Sequence, residues 1–114
     1  MTQEKFNEFY EKFIGEETKL LTSKGQEYSA QHRDRLSAFK EIADLTGMFN
    51  TEVCMVFLLK HITSICKYNN GTATPTTESF MERIHDARNY LFLLAALYKE
   101  EQDLNKQEYD NAAN

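Results

Sequence analysis

Apolar and polar residues follow one another along the chain with the three- and four-residue spacing of amphipathic α-helices. In the first such segment the apolar positions share one face, and Gly25 is expected to end the helix after Lys24. A second helix is predicted over residues 36–46, with Gly47 as its stop. The apolar positions of these two segments are Phe6, Phe9, Tyr10, Phe13, Ile14, Leu20 and Leu21, then Leu36, Phe39, Ile42 and Ala43.

A third helix is predicted to begin where Asn50 or Thr51 can act as the N-cap, and to run to about Tyr68. Residues 53–59 are apolar on every face of this helix, which is typical of a helix that is central in its fold or covered by another subunit. Residues 69–77 are rich in turn-forming side chains and hold the only proline, so we expect a loop there.

The fourth helix has two possible starts in the sequence. Ser79 and Glu82 have the spacing of a capping box, but the helix could also begin at Thr76 or Thr77. Its pattern continues to about Leu104. Residues 105–114 are polar without periodicity, and we expect them to form a flexible C-terminal tail.

These four segments predict an all-α fold, a compact bundle of about four helices in a single domain spanning residues 1–104. No segment alternates between apolar and polar residues as a β-strand does. A chain of 114 residues supports one domain. Because four helices are few to cover residues 53–59, we also expect a homo-oligomer.

The charge pattern leaves room for a local basic pocket. The formal net charge is -5, but residues 24–88 hold eight basic and eight acidic side chains, so the excess acid lies at the two ends. Duplex nucleic acid is not an expected partner, because it requires a sustained basic face. The longest apolar run has seven residues, against the ~20 needed to span a bilayer, so no membrane partner is expected. Two cysteines outside any metal-type cluster, Cys54 and Cys66, are expected to be buried free thiols in a cytoplasmic protein.

The most informative segment is a polar row that leads into the apolar part of the fourth helix. Residues three and four apart share a helix face, which brings together Glu82, Arg83, Asp86 and Asn89. The carboxylates could hold a divalent cation, since Mg²⁺ prefers oxygen ligands. Alternatively, Arg83 and Asn89 could donate to a ligand while Asp86 orients them, or the row could be an ion pair and hydrogen-bond network that joins helices.

Two earlier segments carry further candidates. Lys24 and Tyr28 could project toward an anion and a base, although a lysine at this place could also interact with the end of the first helix. Arg33 and Arg35 flank Asp34 and could grip a phosphate, or the three could form a solvated, self-paired helix start.

The end of the third helix carries Lys60 and His61. Lys60, Ser64 and Lys67 fall on one helix face, and His61 sits one position round. Lys60 is either a phosphate ligand or a lysine whose stem lies along the rim of the core. His61 is a second candidate ligand, although a lone histidine is often a structural group.

In this order, the segments resemble a family of small helical proteins, common in bacteriophages, that is labelled nucleotide-modification-associated. The resemblance spans residues 24–98, about two thirds of the chain. It implies a nucleotide-related role, plausible in a phage-infected cell. The matching elements are Lys24-Gly25 with Tyr28, Asp34-Arg35 with Phe39, Lys60-His61, and Glu82-Arg83 with Asp86, Asn89 and Tyr90.

The last element is also similar to half of the metal site of MazG-like nucleotide pyrophosphatases, which bind Mg²⁺ through carboxylates on two helices. That likeness implies a metal site made by Glu16 and Glu17 with Glu82 and Asp86. The spacing departs from that pattern, because Glu82 and Asp86 are four residues apart rather than three.

The leading hypothesis is a nucleotide-binding protein without catalysis that sequesters or senses a phosphorylated nucleotide, as some small phage oligomers capture signals of host immunity. One alternative is a Mg²⁺-dependent nucleotide pyrophosphatase or modification accessory enzyme. Another is a protein-interaction adaptor that docks through the third helix. The predicted ligand-binding residues are Lys24, Tyr28, Arg33, Arg35, Lys60, His61, Arg83, Asp86 and Asn89.

Overall fold

Four helices make up the chain in its computed structural model, which describes residues 1–30, 34–73 and 78–113, without the side chains of residues 28–30. The predicted all-α class and the number of helices are confirmed, and no strand occurs among the described residues. The helices are α1 (Gln3–Ala30), α2 (Ser37–Thr46), α3 (Asn50–Asn69) and α4 (Phe80–Ala113).

The chain divides into two compact units, Met1–Arg35 and Leu36–Asn114. The first unit contains α1, in which Phe9 and Phe13 bring their rings to 5.7 Å. The second unit contains α2, α3 and α4, with α2 packed on α3 and α3 packed on α4. Three helices thus share one core, whereas a single compact bundle of all four helices stays a prediction.

The core of the second unit is built around aromatic rings from all three of its helices. The Phe39 ring of α2 lies 6.0 Å from that of Phe57 in α3 and 6.2 Å from that of Tyr90 in α4. Phe57 and Tyr90 stack on each other at 6.1 Å. Ring pairs of this kind add about 0.5–1.5 kcal/mol each to the burial of apolar surface. The buried residues around them are Leu36, Ala43, Val53, Cys54 and Leu97.

The two predicted glycine stops have different outcomes. Gly47 ends α2 in the left-handed conformation, with φ of 72° and its N–H donating to the Ala43 carbonyl at 2.9 Å. The predicted stop at Gly25 is wrong, because α1 continues through it to Ala30. A glycine inside a helix costs about 1 kcal/mol relative to alanine but does not end the helix unless its backbone turns left-handed. Among the described glycines, only Gly47 and Gly71 have positive φ.

The start of α3 differs from the prediction by one or two residues. Helix α3 begins at Asn50, so its N-cap is Phe49 rather than Asn50 or Thr51. The Phe49 N–H donates to the carboxylate of Glu52 at 3.1 Å, which is one half of a capping box, whereas the Phe49 side chain has no oxygen to accept from the N–H groups of the first turn. The predicted end near Tyr68 agrees with the observed last residue, Asn69.

The predicted capping box of α4 is confirmed. The Glu82 N–H donates to Ser79 Oγ at 3.1 Å, and the Ser79 N–H donates to the Glu82 carboxylate at 3.2 Å. The alternative start at Thr76 or Thr77 lies outside the described residues. The predicted helix end near Leu104 is wrong, because α4 continues to Ala113. Residues 105–113 contain no glycine or proline and include good helix formers, so propensity favours the extension although every side chain there is exposed. The domain boundary at residue 104 stays a prediction.

None of the described helices is, on its own, both long and apolar enough to cross a membrane. Helices α2 and α3 are long and apolar enough only when taken together, and the two are bent by 107° at their junction.

Candidate functional site

Arg83 is a buried charged side chain of the second unit, with 7% of its surface exposed. It lies in the first turn of α4 and reaches across to α3. Its Nη1 donates to Ser64 Oγ at 2.7 Å and to the Ser64 carbonyl at 3.1 Å. Burying a charge is costly unless hydrogen bonds compensate it, so these contacts explain why the guanidinium is held at this place.

Beside Arg83 lies an open cavity of about 370 Å³, which we call the basic cleft. One wall is α3, where Lys60, Ser64 and Lys67 share a face with the i, i+4, i+7 spacing predicted from the sequence. The Cα atoms of the two lysines are therefore about 10 Å apart along the helix axis, with Ser64 between them. The residues lining the cleft are Lys60, Thr63, Ser64, Lys67, Ala73, Glu78 and Arg83.

The lining gives the basic cleft a positive local charge in a chain that is acidic as a whole. Three cationic side chains and the Glu78 carboxylate leave a formal charge of +2. Two hydroxyls complete the polar surface. Thr63 Oγ1 donates to the Leu59 carbonyl at 2.8 Å, so it can only accept from a ligand, whereas Ser64 accepts from Arg83 and has its own proton to donate. This set of donors suits an anion with several oxygen atoms.

Tyr68 contacts Arg83 but is not among the residues that line the basic cleft. Its ring stacks on Phe80 with centroids 4.6 Å apart and an angle of 16°. The Arg83 Cζ lies over the same ring, 5.6 Å from its centroid. The stacked ring and the guanidinium both contact Tyr68, so this side chain helps to orient Arg83.

The other candidates in the second unit lie away from the cleft lining. His61 is half-buried and stacks on Tyr90 with ring centroids 4.7 Å apart, so it belongs to the aromatic core. Asp86 and Asn89 are half-buried on α4 and are not among the lining residues. The Asn89 Oδ1 is fully buried and accepts no hydrogen bond from the described residues. Ligand roles for these three residues stay predictions.

The first unit holds the remaining candidates. Lys24 is exposed on α1, and Arg35 is half-buried at the end of that unit. The Tyr28 side chain and Arg33 lie outside the described residues. Of the nine predicted ligand residues, the structure therefore brings Lys60 and Arg83 together in one cleft. Lys67, Ser64, Thr63 and Glu78 were missing from the prediction, although the spacing of Lys60, Ser64 and Lys67 is a usable sequence signal.

The carboxylates proposed for Mg²⁺ are found in both units. Glu16 and Glu17 are on α1, whereas Glu82 and Asp86 are on α4, where Glu82 accepts the capping hydrogen bond from Ser79. Within residues 1–30, 34–73 and 78–113, no three or more His, Cys, Asp or Glu side chains are grouped to hold a metal ion. The metal site stays a prediction without a supporting observation.

The two cysteines are free thiols in different surroundings. Cys54 is fully buried, and its Sγ donates to the Tyr90 carbonyl at 3.5 Å. Burial raises the pKa of the Cys54 thiol. Cys66 is exposed, so the expectation of two buried thiols is wrong for this residue. Its position follows from helix geometry, because it lies on the side of α3 away from the core.

Comparison with known proteins adds no relative to these observations. No family model matches the chain, and no curated protein or solved structure matches it significantly.

Proposed function

We propose that this protein binds a phosphorylated nucleotide in the basic cleft and does not transform it. The observation that carries the proposal is the convergence of Lys60, Lys67 and Arg83 on one cleft, where Arg83 is buried and oriented by Ser64. A guanidinium that is already ordered loses little conformational entropy when it binds an anion. The exposed lysines complete the site as mobile point charges.

The spacing of the cations favours a ligand with more than one phosphate group. Lys60 and Lys67 are two helical turns apart, with the Arg83 guanidinium docked at Ser64 between them. A single phosphate cannot neutralise charges at both ends of this row, whereas a di- or triphosphate extends along it. We expect a dissociation constant between about 10 μM and 1 mM at moderate salt, or about 4–7 kcal/mol, in which each solvent-exposed lysine contributes about 1 kcal/mol or less and the ordered Arg83 with the hydroxyls contributes the rest.

The nucleotide part of the proposal rests on the resemblance to the phage nucleotide-modification-associated proteins. Given a nucleotide-related role, sequestering or sensing a nucleotide signal requires a binding site but no catalytic group, so we favour that role. We propose the cytoplasm of the host cell as its compartment, since both cysteines are free thiols.

Isothermal titration at low salt tests the proposal with ATP, GTP, cyclic dinucleotides, ADP-ribose and tripolyphosphate. We expect binding that strengthens with the number of phosphates and weakens at least tenfold in Lys60→Glu and Lys67→Glu. The matched control is Lys106→Glu, which makes the same charge change at an exposed position of α4 outside the cleft. No binding tighter than about 1 mM to any of these ligands would contradict the proposal.

The same samples separate binding from hydrolysis. Ligand recovered intact after incubation with Mg²⁺ supports a binding role, and release of pyrophosphate or phosphate that is lost in Asp86→Ala supports the enzyme alternative. No described contact favours that alternative.

A further inference from the structure

One face of α3 is both apolar and exposed along three turns. Met55, Leu59 and Ile62 are 51%, 60% and 41% exposed, and Cys66 continues the row as an exposed thiol. The row has a spacing of four, three and four residues. That is the spacing of the a and d positions that pack helices against each other in coiled coils. Within the second unit, neither α2 nor α4 covers this row, so it is a helix-packing surface that the described part of its own unit leaves open.

The size of the row indicates the centre of an interface. An apolar side chain offers on the order of 100 Å² for burial, so three half-exposed side chains contribute about 150 Å² per copy. Val56, which is 55% exposed, lies beside them and adds to this area. A standard interface buries about 800 Å² per partner, most of it outside the central anchors.

We propose that the row, Met55–Leu59–Ile62–Cys66, is a self-association surface on which the α3 helices of two copies pack antiparallel. In that arrangement Leu59 faces Ile62 of the other copy and Met55 faces Cys66 of the other copy. The row is thus complementary to itself under a two-fold axis, which a closed homodimer requires.

Charge along α3 favours the antiparallel arrangement over the parallel one. Glu52 is the acidic residue of the first turn, and Lys67 is the basic residue of the last turn. Antiparallel pairing brings Glu52 of one copy level with the Lys67 end of the other, and it also opposes the two helix dipoles. Parallel pairing would place Glu52 level with Glu52 and Lys67 level with Lys67, and it would align the two helix dipoles.

Cysteine cross-linking distinguishes these arrangements. Met55 and Cys66 are eleven residues apart, or about 16 Å along the helix, which is too far for a disulfide within one copy. In the antiparallel dimer the two Cys66 residues are separated by a similar distance, whereas residue 55 lies beside Cys66 of the other copy. The Met55→Cys variant is therefore expected to form covalent dimers on oxidation, and the unmodified chain is not.

The experiment combines light scattering at 10–100 μM with oxidation of three proteins: the unmodified chain, Met55→Cys, and Met55→Cys with Cys66→Ser. We expect a dimer by light scattering for the unmodified chain and a covalent dimer only for Met55→Cys. Leu59→Glu is expected to raise the dimer dissociation constant at least tenfold. Leu45→Glu, at an exposed position of α2, is the matched control and is expected to leave it unchanged.

Three results would overturn the proposal: a monomer at 100 μM, oxidation of the unmodified chain to a dimer through Cys66, or absence of a covalent dimer in Met55→Cys. Circular dichroism of each variant confirms that the helices remain. No residue of the row lines the basic cleft, and the association tests leave the cleft residues Lys60, Lys67 and Arg83 unchanged, so loss of ligand binding and loss of the dimer are separate outcomes.

Discussion

Arg83 Nη1 lies 2.7 Å from Ser64 Oγ, and this contact joins α4 to α3 within the lining of the basic cleft. Both residues also line the cleft, so one hydrogen bond serves stability and ligand binding together. Its loss leaves a largely buried charge with fewer acceptors, which is more costly than the net gain from making the bond.

Replacement of Ser64 by alanine separates these two effects. We expect Ser64→Ala to lower the free energy of unfolding by about 1–2 kcal/mol, because Arg83 loses its side-chain acceptor. Ser23→Ala, at an exposed position of α1, controls for the helix propensity of alanine. Urea unfolding measures both variants, and equal stabilities would show that the contact with Ser64 Oγ contributes nothing.

Replacement of a buried phenylalanine should lower the stability of the chain much more than replacement of an exposed one. Phe39 is 6% exposed and contacts both Phe57 and Tyr90. Phe39→Ala is therefore expected to destabilise the chain by about 3–4 kcal/mol, since it removes buried area and leaves a cavity. Phe92→Ala, at a position that is 56% exposed, is expected to cost less than about 1 kcal/mol. Similar melting temperatures for the two variants would contradict this description of the core.

Glycine replacements test the different roles of Gly47 and Gly25. Gly47→Ala forces a side chain into left-handed backbone, with no atoms close enough to clash, and is expected to destabilise by about 1 kcal/mol. Gly25→Ala replaces a glycine within α1 and is expected to stabilise by up to about 1 kcal/mol. Thermal unfolding checks the signs, and destabilisation by Gly25→Ala would contradict a continuous α1.

The thiols should differ strongly in their reaction with alkylating reagents. Cys66 is exposed and is expected to react quickly at pH 8, whereas Cys54 is buried with a raised pKa and should react only on unfolding. Because the pKa of Cys54 is higher in the folded chain, the unfolded chain ionises first as pH rises. Cys54 therefore contributes stability that is present at neutral pH and is lost at alkaline pH. Mass spectrometry of timed samples measures the two rates, and equal rates would contradict the burial of Cys54.

Local features of the fold were predictable because they depend on residues close in sequence. The left-handed stop at Gly47 and the capping box of Ser79 and Glu82 each involve a few consecutive residues, and both are observed. Gly25 shows the limit of this reasoning. A glycine permits left-handed backbone but does not require it, and α1 continues through Gly25.

The basic cleft was predictable only in part. The face shared by Lys60, Ser64 and Lys67 follows from helical spacing alone. The contact of Arg83 with Ser64 joins residues that are nineteen positions apart, and it depends on how α3 and α4 pack. Helical spacing also grouped Arg83 with Asp86 and Asn89 correctly on one helix, but it could not show that the cleft lies on the Arg83 side only.

The most direct test of the central claim is a parallel titration of ATP into the unmodified chain and into Lys60→Glu with Lys67→Glu. We predict a dissociation constant between about 10 μM and 1 mM for the unmodified chain and no measurable binding for the double variant. A control with two distant charge changes, Lys106→Glu and Lys99→Glu, is predicted to keep its affinity within about threefold. Equal affinities in the unmodified chain and the cleft variant would show that the basic cleft is not where the nucleotide binds.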